Sequence, residues 1–429
     1  MDDLQTLLQR LDETTATHAT LEAYYAGTQP LAYLSPEAKK ALGDRFGVMA
    51  SNIPRLAVTA LAERLRVTGF TDVDVWSDWI RNDLDQLAGV AHREALLLGS
   101  AYVIVWADDA GRPRVSIESP RQVTVLRDPG TRKITAAVKR WETRTSTEAV
   151  LYGPDTITRL SSPQLGATLT GFQTVATIDN PLGIPPVVQL RNGDRLLGDG
   201  TSEIADLLPL VDGLNKLLAD MLVSSEYFAR PRRWATGIEP DEQDVLDELG
   251  QPTGETVAVN PFPEGDRMML NEAADGKFGQ LPAGDMNAYE SGVRVLLSQI
   301  MAVSALPAHY LGVLTSQPSS ADALRAAEAS LSARAEARQA TFGRAWEDVA
   351  RLVVAVRDGV DPHDVTPRVS WADAATRSVA QEADAIVKLH TAGLLPTDYA
   401  LKRLGYDDDQ LTEIRKARQS DTTTEGVPA

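Results

Sequence analysis

Cysteine is absent from the 429 residues, which excludes disulfides and thiolate metal ligation and is compatible with a reducing compartment. No apolar run approaches the ~20 residues that a membrane-spanning helix needs, so no membrane partner is expected. The phosphate-cradling G-x-x-x-x-G-K-[ST], the dinucleotide G-x-G-x-x-G after a strand, H-E-x-x-H and the G-x-S-x-G nucleophile elbow are all missing. The five histidines, His18, His92, His309, His363 and His390, stand far apart without ligand spacing. Asp361-Pro362-His363-Asp364 reads as turn chemistry, and the three aspartates at 407–409 read as a helix start that favours the helix dipole. No catalytic residue, metal site or cofactor is therefore expected. Residues 1–21, MDDLQTLLQRLDETTATHATL, lack the basic and apolar regions of a signal peptide. A non-exported, water-soluble chain is the expectation.

Positive charge is also scarce. Sixty acidic residues face 42 basic ones, a formal charge of −18. A protein that grips nucleic acid neutralises phosphates with a basic face. This chain, if it meets DNA, is expected to guide it with weak, salt-insensitive contact; the plainer reading is that the acidity serves solubility.

What is present is an ordinary globular balance, 43% hydrophobic and 24% charged, at a length that suits two or three domains. Residues 1–110 carry helical periodicity. Asn52 and Pro54 open a helix over 52–66, and 76–98 reads as another helix, closed by Gly99. AYVIVW at 101–106 follows as a buried strand. Strand signals then dominate to residue 200: VSIESP, QVTVLRD, ITAAVKRW, EAVLYG, TITRL and VVQL, separated by Gly, Pro, Asn or Asp. A long helix is expected from 201–202 to about Phe228, with Pro209 kinking it or marking a junction. Residues 229–284 are a polar, Gly/Pro-rich block with one acidic stretch, DEQDVLDELG, read as helix and one strand, TVAVN. A second apolar-striped helix spans 285–305. The strongest helical pattern begins at Ser319–Asp322, in capping-box spacing, and runs to Val356. Residues 369–371 read as a short strand, and 378–417 as two or three small helices before a polar tail. The fold class is α+β, mainly helical.

Between the last two long helices lies LPAHYLGVLTSQPSS, which carries no acidic or basic residue apart from His309. A solvated loop in so acidic a chain would be charged, and an ordinary helix–helix connection with a buried Leu or Val is the alternative. His309 and Tyr310 are expected to pack at its base.

Five features in order resemble the portal proteins of tailed bacteriophages, the head-to-tail connector family of siphophages. They are Tyr24-Tyr25-Ala26-Gly27; Asn52-Ile53-Pro54; EALLLGSAYVIVW; Gly200-x-Ser202 with Asp212 and Asn215; and LPAHYLG…SSADALRAAEASL with Phe342-Gly343-x-x-Trp346. The resemblance covers about residues 15–405. It implies a portal fold assembled as a ring of about 12 copies around a central channel. The wing is then 1–200, β-rich from about 101, with 320–372 as a long helix returning to it. The first stem helix is 201–228, the clip 229–284, the second stem helix 285–305, the tunnel loop 306–319, and the crown with the tail 373–429. Leu311, Gly312, Val313, Leu314, Thr315, Ser316 and Gln317 would line the channel. Lys216, Arg294, Arg230, Arg232 and Arg233 are candidate channel or clip contacts; the alternative is paired or solvated charge, which for the three clip arginines means ion pairs between subunits. The implied function is a non-enzymatic ring at the unique capsid vertex, through which double-stranded DNA is packaged and ejected. Implied partners are the terminase large subunit, the head–tail adaptor, and the major capsid and scaffolding proteins. The implied location is the virion, after assembly in the host bacterial cytoplasm. The rival readings are a cytosolic nucleic-acid-processing enzyme with an acidic site, and a monomeric helical scaffold.

Overall fold

In the computed structural model the described residues are 2–31, 49–168, 171–193, 195–229, 233–237, 241–246, 251–259, 275–280, 286–313, 321–375, 379–404, 410–411 and 413–417. They form a mixed α/β fold in two compact units. The first comprises Met1–Leu21, Leu56–Glu203 and Ala305–Ala429; the second comprises Glu22–Arg55 and Ile204–Ser304.

Helix α1, Asp2–Ala26, opens the chain, and α2 is Ile53–Ala62. Strand β1, Val67–Thr71, is followed by α3, Trp76–Arg81, and α4, Leu84–Leu98. The single helix expected over 76–98 is thus broken. Asp83 takes a left-handed φ of 55°, and the Asn82 side chain turns away to bond Pro113 O (3.1 Å) and Val115 N (2.9 Å). Those bonds satisfy the end of a neighbouring strand at the expense of helix continuity.

That strand is β3, Pro113–Glu118, paired with β2, Ser100–Ala107, whose other neighbour is β9, Val187–Arg191. The expected buried run is the centre of this antiparallel sheet, and its first six residues are buried. Tyr102 and Ile104 face Val123, Val125, Ala137 and Val187, so Ala101, Val103 and Val105 point to the opposite face. Burial on both faces explains why the strand reads as continuous rather than alternating.

A five-stranded antiparallel sheet runs in order: β4 (Val123–Arg127), β5 (Ile134–Glu142), β6 (Thr147–Tyr152), β7 (Thr156–Ser162) and β8 (Gln173–Asp179). The apolar stripe Leu7, Leu8 and Leu11 of α1 packs on Ala136, Val138, Ala149 and Leu160. Arg140 pins α1 to the sheet through Asp12 at 2.6 Å. Strand β8 was not expected. It is an edge strand exposed at all seven residues, so it lacks the burial that writes apolar alternation into a sequence.

In the second unit, a 3₁₀ turn Ala205–Leu207 precedes α5, Leu208–Ala229. Pro209 therefore marks the junction of the two rather than a kink: it sits in the first turn of α5, where its missing N–H has no partner in any case. Helix α6 is Asn287–Ser304. Leu217 lies against Gly292, Gly213 against Leu296, and Ser224 bonds Tyr289 at 2.8 Å. Ascending positions on α5 meet descending ones on α6, so the helices pair antiparallel. Between them stand two small antiparallel pairs: β10 (Arg233–Thr236) with β13 (Lys277–Gln280), and the hairpin of β11 (Asp241–Leu246) with β12 (Pro252–Val259). The stretch expected as an acidic helix begins as β11. Cross-strand pairing with the β-branched TVAV segment overrides the weak helix propensity of Asp and Glu.

Helix α7, Ala321–Asp358, has 38 residues and so runs about 57 Å. Leu331, Ala335, Phe342, Ala345, Trp346, Val349 and Val353 form its buried stripe. Strand β14, Arg368–Trp371, pairs with β1. Gly343 permits that approach, since a Cβ there would lie 3.1 Å from Val369 and 3.2 Å from Trp371. Helices α8, Val379–Thr391, and α9, Thr397–Arg403, follow.

Candidate functional site

The uncharged segment after α6 begins with a backbone that forbids further helix. Ala305 adopts φ 59°, and Pro307 is extended, with ψ 148°. A short 3₁₀ turn, Ala308–Leu311, then closes on Gly312 at φ 70°, where glycine carries no steric cost. Val313 N donates to Ala308 O at 3.1 Å.

This turn is held by two residues from distant parts of the first unit. Arg64, just past α2, donates through Nη2 to Glu328 Oε2 of α7 at 3.0 Å and to the Tyr310 hydroxyl at 3.3 Å. The His309 Nε2 lies 3.3 Å from Glu328 Oε1. The His309 and Tyr310 rings meet edge to face at 4.8 Å. Both partners of the Arg64–Glu328 pair are nearly buried, at 10% and 13% exposure, so the pair is weakly screened. His309 and Tyr310 thus pack at the base of the segment. Arg64 and Glu328 were not singled out in the sequence, since a pair 264 positions apart leaves no local pattern.

Further along α7, Arg338 reaches Glu203 Oε1 through Nη2 (2.6 Å) and Nε (2.8 Å), and Arg334 reaches Oε2 at 3.4 Å. Gln339 donates to the carbonyls of Arg64 (3.1 Å) and Ala372 (3.0 Å). One face of α7 therefore ties together the end of α2, the 309–310 turn, residue 203 and the exit of β14.

The remaining candidates fall into two groups. Leu311, Gly312 and Val313 are described and do not carry charge. Leu314, Thr315, Ser316, Gln317, Arg230 and Arg232 lie outside the described residues, as do Ser319 and residues 407–409, while of Arg233 and Asp322 only the backbone is described. Lys216 on α5 is bonded to Asp220 one turn on. Arg294 on α6 bonds Glu290 at 2.8 Å, with both side chains about 70% exposed. Each pairs at i, i+4, an arrangement worth only a few tenths of a kcal/mol on a helix surface. Asp361 caps the 3₁₀ turn Pro362–Asp364 by accepting from His363 N at 2.8 Å. Among the described residues no group of three His, Asp or Glu converges on a point that could hold a metal ion.

The motifs that are scattered in sequence come together in space. The Tyr24 hydroxyl bonds both oxygens of Asp212, at 2.8 and 2.9 Å. Ser51 N donates to the buried Asn215 at 3.0 Å. A Cβ on Gly27 would stand 2.2 Å from Asn52 Oδ1. In the first unit, Gly99 and Gly200 touch backbone to backbone. The Trp346 indole donates to His92 Nε2 at 2.8 Å, and Phe342 stacks on the same imidazole at 5.5 Å. Burial drives the His92 pKa down to about 3, so the ring is neutral with its proton on Nδ1.

The sequence matches the family described as "Phage portal protein, SPP1 Gp6-like" over residues 35–424. It is 30% identical to the portal protein of Mycobacterium phage D29 and 29% identical to that of Mycobacterium phage L5. Each alignment covers 85% of this chain and 77% of the relative. Among solved structures, the neck of a native gene transfer agent particle, computed with C12 symmetry, is 14% identical. It covers 92% of this chain and 94% of its own, with a TM-score of 0.49. The virion of the native gene transfer agent is 15% identical, covering 91% of this chain and 93% of its own, with a TM-score of 0.47. With the family match spanning nearly the whole chain, the chain belongs to the phage portal proteins.

Proposed function

We propose that about twelve copies form a ring at the unique vertex of a capsid, and that double-stranded DNA passes through its centre during packaging and ejection. The chain then has no catalytic role; the terminase large subunit, a head–tail adaptor, and the major capsid and scaffolding proteins are its partners in the virion. Residues 1–200 with 320–372 act as wing, 201–228 and 285–305 as stem, 229–284 as clip, 306–319 as tunnel loop and 373–429 as crown. Family membership supports the ring and the DNA. Membership alone does not supply the tunnel loop; one observation carries it.

That observation is the clamped, uncharged turn. Arg64 and Glu328 fix its base through Tyr310 and His309, while Leu311 to Gln317 offer a passing polyanion neither attraction nor repulsion. Twelve copies at −18 each would repel a duplex on average, so contact is weak and short-lived. Gripping through six to ten phosphates would instead cost ~10³–10⁵ in affinity between 50 and 200 mM salt. Arg230, Arg232 and Arg233 serve as clip contacts to an acidic partner surface, and Lys216 and Arg294 face the channel in exchange with their acidic partners.

The test is deletion of residues 313–317. Rings are expected to form as before, with DNA packaging or retention impaired. Normal packaging by intact rings of this variant contradicts the tunnel assignment.

A further inference from the structure

The three-stranded sheet of the first unit ends in two chemically matched features. Beyond the C-terminal end of β9, the loop residues 195–199 include Leu196 and Leu197, 75% and 85% exposed. This loop is tied in place. Arg132 donates to Leu196 O at 2.9 Å, Thr201 N donates to Asn192 O at 2.7 Å, and Gly198 and Gly200 turn the chain at φ 111° and 119°. Two adjacent leucines held in water are a marked apolar exposure for a segment that is otherwise Gly and polar residues.

At the other end of the same sheet lies an open cavity of about 490 Å³, lined by Trp106, Leu182, Ala355, Val356, Val360 and Pro362. The strand register fixes the separation. Ser100 pairs with Arg191 at the leucine end, and Ile104 pairs with Val187 toward the cavity. Eight residues of β2 at ~3.3 Å each put the two features about 25 Å apart. The leucines do not reach the cavity of their own chain.

Charge separates in the same sense. Arg132, bonded to Leu196 O, and Arg195, the residue before Leu196, are exposed cations, as is Lys133 next to Arg132. Among the described residues the acids at that end are engaged: Asp128 accepts from the amides of Gly130 and Thr131, and Asp199 faces Arg127. At the cavity the exposed acids are Asp109 and Asp364, while Asp361 caps the Pro362–Asp364 turn. The cations there, Arg112 and Arg357, are paired with Asp108 and with Asp78 and Asp358.

We propose that Leu196 and Leu197 of one copy seat against Trp106 and Val360 of the next copy, with the basic rim of the loop facing the acidic rim of the cavity. The contact uses two different patches, so it is heterologous and propagates head to tail until a ring closes. It rests on the ring reading above and adds which faces meet. An aromatic floor under an aliphatic knob, rimmed by opposite charges, is the composition of an interface centre.

The experiment compares full-length wild type with L196D/L197D and with V360R by light scattering. Each variant alone is expected to be monomeric, with the far-UV circular dichroism of the wild type and a single cooperative unfolding transition. Mixed one to one, they are expected to give particles of two-copy mass, because only one knob and one cavity remain competent. Rings from either variant alone, or a mixture that stays monomeric, overturn the proposal. A chain carrying L197C and V360C supplies a second readout. With no other cysteine, mild oxidation should give a reducible ladder of covalent oligomers, since ~25 Å forbids a bridge within one copy. Rings that yield no ladder count against the contact while leaving the ring itself standing. Absence of rings in the wild type overturns the ring reading first.

Discussion

The Tyr24 hydroxyl, from the end of the first helix, bonds both carboxylate oxygens of Asp212 across 188 positions of sequence. A hydrogen bond to a charged acceptor contributes roughly 1.5–3 kcal/mol when partly buried. Tyr24→Phe should therefore lower the urea unfolding free energy by about 2 kcal/mol. In a double-mutant cycle with Asp212→Ala, whose side chain cannot accept the bond, most of that loss should appear as coupling between the two residues. Additive effects would show that the contact is idle.

Two glycines with similar backbones separate strain from collision. Gly198 and Gly200 both adopt φ values that L residues avoid. A Cβ on Gly198 meets open space, whereas one on Gly200 would lie 1.9 Å from Gly99 O. Gly198→Ala should cost only the left-handed strain, about 1–2 kcal/mol. Gly200→Ala adds a backbone clash that no side-chain movement relieves, and should cost at least about 3 kcal/mol. Equal melting temperatures for the two variants would refute the close approach of residues 99 and 200.

Acid should destabilise the first unit through His92. Its folded pKa of about 3 lies below the ordinary 6.5, because burial disfavours the imidazolium. The unfolded chain therefore binds the extra proton first. The stabilisation is fully present above pH 6.5 and is lost as pH falls toward 3, by about 2 kcal/mol at pH 5. Urea titrations at pH 7.5 and 5.0 should show this drop, and His92→Gln, whose amide can still accept from Trp346, should remove it. An unchanged pH slope in that variant would place the effect elsewhere.

Much of the fold is legible in the sequence where one residue sets the local backbone. Gly99 closes α4, β2 reads as a continuous apolar run, and Asn52-Ile53-Pro54 opens α2. Reading fails where partners lie far away. VTGFT becomes β1 only because β14 arrives from 300 residues on, and β8 has no buried face to leave a pattern. DEQDVL is drawn into a hairpin by its neighbour against its own propensity. The same holds for the candidate site. The lack of charge in 311–317 is visible at once, but the Arg64–Glu328 clamp beneath it exists only after the long helix has packed. The five family motifs occupy a middle ground, since their order is legible while their mutual contacts, Tyr24 to Asp212 and Ser51 to Asn215, require the fold.

Whether the chain assembles is read from the mass of the purified wild-type protein. Light scattering with negative-stain imaging should show closed rings of about a dozen copies with a central opening. A monomer that persists across protein concentration and salt would rule out the ring.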